Sequence, residues 1–322
     1  MTKYDVVALG ELLIDFTQNG ISEQGNPVFE ANPGGAPCNV LAMLQKLGHK
    51  TAFIGKVGTD GFGMQLKRAL EETGIDTSGL CFDDEVHTTL AVVQTLEDGD
   101  RDFSFYRKPG ADMMLRKSEV NVELLKACRI FHFGSLSLTD KEVREATRFA
   151  VTEAKKAGAL ISFDPNLRKP LWNSLEEAKE QISYGMAQCH ILKISDDEIT
   201  WFTGEMDYTR AVEILNNQYH IPLICVSMGR AGSRAYYRGE LVEAAPFLQE
   251  STIETTGAGD TFMGCLLHGV LETGLERLNR ETLKSILCYA NAAASIITTR
   301  KGALRVMPEK DEIENIQFRH CL

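Results

Sequence analysis

Residues 159–195 read ALISFDPNLRKPLWNSLEEAKEQISYGMAQCHILKIS. Two short apolar runs, ALISFD at 159–164 and HILKIS at 190–195, enclose an amphipathic stretch of helical period at 174–188. Runs this short and this continuously apolar read as strands buried on both faces. Strand, helix, strand is the repeating unit of a parallel sheet. The same runs recur outward from here: YDVVALG at 4–10, TAFIG at 51–55, RIFHFGS at 129–135 and PLICVSMG at 222–229. A second helical stretch, TDKEVREATRFAVTEAKKA, fills 139–157. The pattern predicts an α/β fold with a mainly parallel sheet covered on both faces. Ligands of such sheets gather at the carboxyl ends of the strands.

Two segments break the alternation. Residues 12–33 and 88–112 hold extended pieces, among them TTLAVVQTL, then EDGDR, then DFSFYR. Asp98-Gly99 between alternating runs is a hairpin signal. These segments are expected to form a small β lid on a single domain spanning residues 1–322. An extra hairpin on the edge of the main sheet is the plainer alternative.

The chain has 322 residues, of which 43% are hydrophobic and 25% charged, ample for a large core. A net charge of -11 disfavours nucleic acid and anionic membranes as partners. Asp5, Glu11 and Asp15 interrupt the apolar run MTKYDVVALGELLIDF, so it does not read as a secretory signal. The eight cysteines show no C-x-x-C pair and no Cys/His metal spacing. A reduced, cytoplasmic protein without structural zinc is the expectation.

Three stretches carry candidate chemistry. In ETTGAGDTFMG (254–264), Gly257, Ala258 and Gly259 offer bare backbone where a helix begins, which makes an anion site, and Asp260 follows at once. A carboxylate beside an anion site makes sense if it removes a proton from an attacking group. In PGGAPCNV, Gly34 and Gly35 let a ligand meet the main chain, Pro37 suits a first helical turn, and Asn39 offers a donor and an acceptor. In GELLIDF (10–16), Asp15 is a carboxylate of the kind that grips adjacent sugar hydroxyls.

These stretches resemble the ribokinase-like (PfkB) carbohydrate kinase family. Residues 34–58 are similar to its amino-terminal signature and 255–264 to its carboxyl-terminal one. Within the family, GELLIDF, FSFYRKPGAD, FHFGSLSL, DPNLRKPLW and LKISDDEI look most like fructokinase segments. The resemblance implies a three-layer α/β/α domain. It implies Asp260 as catalytic base, with Gly257, Ala258 and Gly259 as anion hole. It assigns Asp15, Gly34, Gly35, Asn39, Arg107 and Arg168 to the substrate.

For ATP the resemblance implies Lys193, Glu198, Ser227, Gly229, Gly232 and Asn291, with magnesium reached from Glu198 through water. Ser195 stands where the family has Asn. A monovalent cation, usually potassium, would sit near Glu254, Thr256, Thr298, Lys301 and Ala303, mostly on carbonyls; Glu254 replaces a common Asp. Leu41 stands where a small residue is usual, and His87 is unassigned. The implied reaction is phosphorylation of fructose at its primary hydroxyl. The alternatives are a 2-keto-3-deoxygluconate kinase, which would need a second cation beside Arg107, a nucleoside kinase, or a non-catalytic sugar-binding regulator. The edge-strand argument adds a homodimer formed through the lid.

Overall fold

The computed structural model describes residues 3–95, 101–249 and 251–320. The Asp98-Gly99 turn lies outside the described residues. The strands are β1 (Tyr4–Leu9), β2 (Leu13–Ile21), β3 (Pro27–Gly34), β4 (Thr51–Gly58), β5 (Asp76–Asp83), β6 (Leu90–Thr95), β7 (Arg101–Tyr106) and β8 (Cys128–Gly134). Then follow β9 (Leu160–Asp164), β10 (Ile191–Ser195), β11 (Leu223–Ser227), β12 (Ser233–Tyr237) and β13 (Glu240–Ala244). The helices are α1 (Ala36–Lys46), α2 (Gly61–Thr73), α3 (Val122–Lys126), α4 (Lys141–Lys156) and α5 (Leu175–Gln188). The remaining five are α6 (Asp196–Thr203), α7 (Tyr208–Tyr219), α8 (Ala258–Thr273), α9 (Arg280–Ile297) and α10 (Lys310–His320).

A nine-stranded sheet runs in the order β13-β12-β11-β10-β9-β8-β1-β4-β5. It is parallel from β5 to β11 and closes with the antiparallel β12–β13 hairpin. The period of two sorts each strand between two cores. On β1, Val6 and Ala8 join the cluster under α1, α8 and α9, while Val7 and Leu9 join the cluster under α4 and α5. This is the three-layer arrangement the repeating apolar runs predict. The β12–β13 hairpin is not among those runs.

A separate four-stranded sheet runs β3-β2-β6-β7. β2 pairs antiparallel with β3 and parallel with β6, and β6 pairs antiparallel with β7. Along β2, Leu13, Asp15 and Thr17 alternate onto one face, which looks into a cavity. Near its far end Ile21 is 61% exposed, and Tyr106 on β7 is 65% exposed. This sheet therefore keeps apolar groups on solvent.

α1 and α8 start side by side. Pro37 sits in the first turn of α1, where its missing N–H costs nothing. Gly264 of α8 packs on Met43 of α1 so closely that a Cβ there would stand 2.7 Å from the Met43 Cβ. Both helices are apolar almost all round and buried along most of their length. Their N-terminal ends meet at the cavity. Among the described residues the cysteines are free thiols, most of them in the core. No helix there is long and apolar enough to cross a membrane.

Candidate active site

The cavity, about 600 Å³, lies between the four-stranded sheet and the carboxyl edge of the large one. Asp260 is at its floor, in the first turn of α8. Asn39 Nδ2 donates to Asp260 Oδ2 at 2.8 Å, so the first turns of the two helices are tied together at the site. Asn39 Oδ1 is buried and takes no hydrogen bond from the protein. Burial raises the pKa of Asp260, against the lowering pull of Asn39, Lys193 and Arg168. A carboxylate raised in this way is a stronger proton acceptor than a solvated one.

The backbone before Asp260 is shaped for an anion. Gly257 holds φ 76°, a left-handed value, and a Cβ on it would stand 2.7 Å from that of Ala303. Gly257 and Gly259 both line the cavity. Ala258 departs from its expected part in the anion hole, because its N–H donates to the Thr255 carbonyl at 3.2 Å. The first-turn N–H groups of α8 otherwise point out of the helix end.

Opposite lies Asp15 on β2. It is half-buried, and its pKa is pushed up to about 7 by desolvation, with Arg168 opposing and Asp260 and Glu254 reinforcing. Gly34 makes room for it, since a Cβ at that position would collide with the Asp15 carboxylate. Gly35 lines the cavity itself, as does Arg168 at its exposed edge. Lys193 enters from β10 and pairs with Asp164 Oδ2 at 2.9 Å, both nearly inaccessible. Burial pulls the Lys193 pKa down, but Asp164 and Glu198 outweigh it and hold it above the usual lysine value. Asp164 is pushed up to about 6 by burial, with Lys193 opposing, so the pair is ionic at neutral pH.

Several expected contacts are corrected by the geometry. Arg107 is not at the cavity. Its guanidinium is 2% exposed and pairs with Asp112 at 2.7 Å. It also donates to Thr139 Oγ1 at 2.9 Å and to the Leu136 carbonyl at 3.1 Å. An arginine buried at the end of a strand must find such partners, and Asp112 of the PGAD stretch supplies the charge. Glu198 is turned away as well. One oxygen accepts from Leu167 N–H at 2.6 Å, and the other from Ser195 N–H and Oγ at 2.9 Å. It closes the capping box of α6 rather than facing a metal.

Of the expected nucleotide residues Lys193 lines the cavity, while Ser227, Gly229, Gly232 and Asn291 lie beyond it. Ser227 faces Ser195 across the β10–β11 ladder, so the carboxyl edge that carries Lys193 continues towards Ser227 and Gly229. Gly232 holds φ 92°, and a side chain there would collide with the Ala244 carbonyl. Asn291 donates to the carbonyls of Ala244 at 3.3 Å and Ala245 at 3.0 Å, bracing that segment on α9. The loops named for a monovalent cation do meet. Ile253 and Glu254 N–H donate to the Thr298 carbonyl at 2.8 and 3.2 Å, and Glu254 Oε1 accepts from Gly302 N–H at 2.8 Å. Both acceptor directions of the Thr298 carbonyl are thereby used, and Lys301 reaches away to Asn19 on β2 at 2.9 Å. Thr256 and Ala303 remain at the cavity.

Glu11, Asn32 and Asn166 also line the cavity, and the sequence reading gave none of them a cavity contact. Glu11 accepts from Ala36 N–H at 2.9 Å, and burial pushes its pKa up to about 7. Its lone position in the same apolar stretch as Asp15 was the available signal. Asn166 stands two residues past the end of β9. It adopts φ 41°, uncommon outside glycine, at the mouth of the cavity. Asn32 carries no such mark in the sequence; only pairing opposite Asp15 brings it in.

A buried carboxylate held on a helix start, bare backbone beside it and a second carboxylate facing it across the cavity fit an enzyme that transfers a phosphoryl group to a polyhydroxylated acceptor. The chain belongs to the pfkB family of carbohydrate kinases, whose family model matches residues 3–310. It is 41% identical over 310 residues to fructokinase-1 of Zea mays, covering 96% of each chain. Among solved structures, it resembles the ATP-bound fructokinase of Xylella fastidiosa with a TM-score of 0.90 at 28% identity, over 99% of each chain. It also resembles the Vibrio cholerae O395 fructokinase bound to fructose, ADP and calcium. There the TM-score is 0.88 at 28% identity, over 98% of this chain and 99% of that one.

Proposed function

We propose that this carbohydrate kinase is a fructokinase that transfers the γ-phosphoryl of ATP to the primary hydroxyl of fructose, giving fructose 6-phosphate. The observation that carries the reading is the buried Asp260 carboxylate, tied to Asn39 at a glycine-lined helix start. Fructokinases at this level of identity over nearly the whole chain support the choice of sugar.

In this reading Asp15 and Asn39 Oδ1 accept hydrogen bonds from sugar hydroxyls, and the Gly35 backbone lies against the ring. Asp260 takes the proton of the attacking hydroxyl as its oxygen bonds to the γ-phosphorus. The bond to the leaving ADP oxygen breaks, and the backbone N–H groups of Gly257 and Gly259 meet the charge on the moving phosphoryl. General base catalysis typically contributes ~10²–10⁴-fold, and preorganised donors add a few kcal/mol. Arg168 and Lys193 offset phosphate charge, with ATP running along the carboxyl edge towards Ser227 and Gly229.

The oxygen-rich lining, with Glu254, Asn166 and Asp260, suits magnesium that keeps most of its water; bound with ATP it would neutralise phosphate charge. Potassium would rest mostly on backbone carbonyls where the loops carrying Thr256 and Ala303 meet at the cavity. The four-stranded sheet is the lid, and its exposed Ile21, Val28 and Tyr106 are the basis for a homodimer through it.

A sugar acid fits this cavity less well. Glu11, Asp15, Glu254 and Asp260 surround it, and Arg107, which would have met a carboxylate, is spent on Asp112. Phosphorus NMR of the product made from fructose, ATP and magnesium tests the reading. Fructose 6-phosphate is expected; a 1-phosphate or no sugar phosphate would contradict it.

A further inference from the structure

Away from the cavity, at the other end of α8, three side chains with metal-binding atoms converge. His49 lies in the turn between α1 and β4, while His268 and Glu272 stand four residues apart on α8. That spacing puts the last two on one helix face. His49 Nε2 is 2.7 Å from His268 Nδ1, and one ligand atom from each of the three residues lies within 4.8 Å of the others. His49 is buried, His268 half-buried and Glu272 exposed, so the cluster is backed by protein and open to solvent on one side.

His49 is oriented from behind. Its Nδ1 faces Asp5 Oδ2 at 3.5 Å. Asp5 is itself held by Lys50 N–H at 3.0 Å and by Arg129 at 3.1 Å. A carboxylate on Nδ1 selects the tautomer whose Nε2 lone pair points outward, the arrangement that metal-ligating histidines use. Burial, helped by His49, lowers the His268 pKa. Lys310, which also acts on His268, pairs with Glu314 at 3.8 Å rather than with Glu272.

A simple hydrogen bond between the two rings accounts for their approach. It gives no part to Glu272 and no reason for the third donor. We infer that His49 Nε2, His268 Nδ1 and a Glu272 carboxylate oxygen form a binding site for a divalent transition metal of the zinc type, with water as fourth ligand. Two imidazoles and a carboxylate are a borderline donor set of the kind zinc takes, with zinc–nitrogen bonds of about 2.0–2.1 Å. Tetrahedral angles at those lengths separate the two nitrogens by about 3.3 Å, so the rings open by roughly half an ångström. The proton on His268 moves from Nδ1 to Nε2 through solvent, one N–H bond breaking as the other forms, with no net release of a proton. His268 is about 12 Å along α8 from Asp260 at 1.5 Å per residue, so the metal would pin α8 to the end of α1 without entering the cavity.

The test is calorimetric titration of the chelator-treated full-length protein with Zn²⁺, repeated with Co²⁺ read by its visible absorption. One equivalent is expected, with the Co²⁺ spectrum of a four-coordinate nitrogen/oxygen site. His49→Gln and His268→Gln should abolish it, and Asp5→Asn should weaken binding by ~10–100-fold through the loss of orientation. Glu272→Gln, an exposed change that leaves folding intact, should raise the Kd at least ~10-fold. Wild type taking up no more Zn²⁺ than the His49→Gln/His268→Gln double variant would overturn the site. So would an unchanged affinity in Glu272→Gln.

Discussion

Asp260 is a buried carboxylate and Asp15 a half-buried one, and their surroundings give them different work. Asp260 keeps Asn39 as a donor and two cations nearby, which holds it ready to accept a proton. Asp260→Asn should keep its fold and lose ~10²–10⁴-fold in kcat, measured by steady-state kinetics beside a melting curve. Among the described residues no hydrogen-bond donor meets Asp15, and desolvation pushes its pKa up to about 7. Its folded pKa is above the unfolded value near 3.8, so the stability it contributes is full below that value and lost as pH rises through about 7. The ligand-free protein should therefore be less stable at pH 8 than at pH 6, and Asp15→Asn should remove about 1.4 kcal/mol of that difference while raising the KM for fructose. A slope unchanged in Asp15→Asn would mean its carboxyl is not held protonated in the empty cavity. Both residues were legible as lone carboxylates beside small residues. Asn32 was not, because nothing local marks a residue whose part depends on strand pairing.

At the scale of elements, the cavity rests on two contacts. The first is α1 against α8, which ties Asn39 to Asp260. A methyl at Gly264 has nowhere to go but into Met43, so Gly264→Ala should cost about 1–3 kcal/mol of stability, read as a fall in Tm, and should reduce kcat as the two N-terminal turns part. The second is the Arg107–Asp112 pair, which ends β7 and holds the Leu136 loop. Arg107→Met leaves Asp112 buried alone and should cost about 3–5 kcal/mol, with a KM for fructose close to wild type. Adding Asp112→Leu should restore much of the loss. A large rise in KM with unchanged Tm would instead return Arg107 to the substrate. Six strands of the main sheet, β1, β4, β8, β9, β10 and β11, and the helices α4 and α5 followed from their apolar periods, while β5 and the β12–β13 hairpin did not. The fate of Arg107 did not, because an arginine at a strand end reads alike whether it faces a ligand or a carboxylate folded back from five residues on. The His49–His268 contact was out of reach for a similar reason, as the residues lie 219 positions apart.

For the whole molecule, two sheets close on one chamber. The large sheet brings Lys193, Asp164 and the α8 start to one edge, and the small sheet brings Asp15 over them. This division explains why the chain breaks its strand–helix rhythm at 12–33 and 88–112. It also predicts that the lid faces pair in solution. Light scattering should give a dimer, and Ile21→Lys with Tyr106→Lys should shift it towards monomer. The central claim is that this chamber phosphorylates fructose with Asp260 as base. The most direct measurement is ADP release coupled to fructose and to 2-keto-3-deoxygluconate, for wild type and Asp260→Asn. The account predicts fructose well ahead of the sugar acid and almost no turnover in the variant. Preference for the sugar acid, or a variant as fast as wild type, would contradict it.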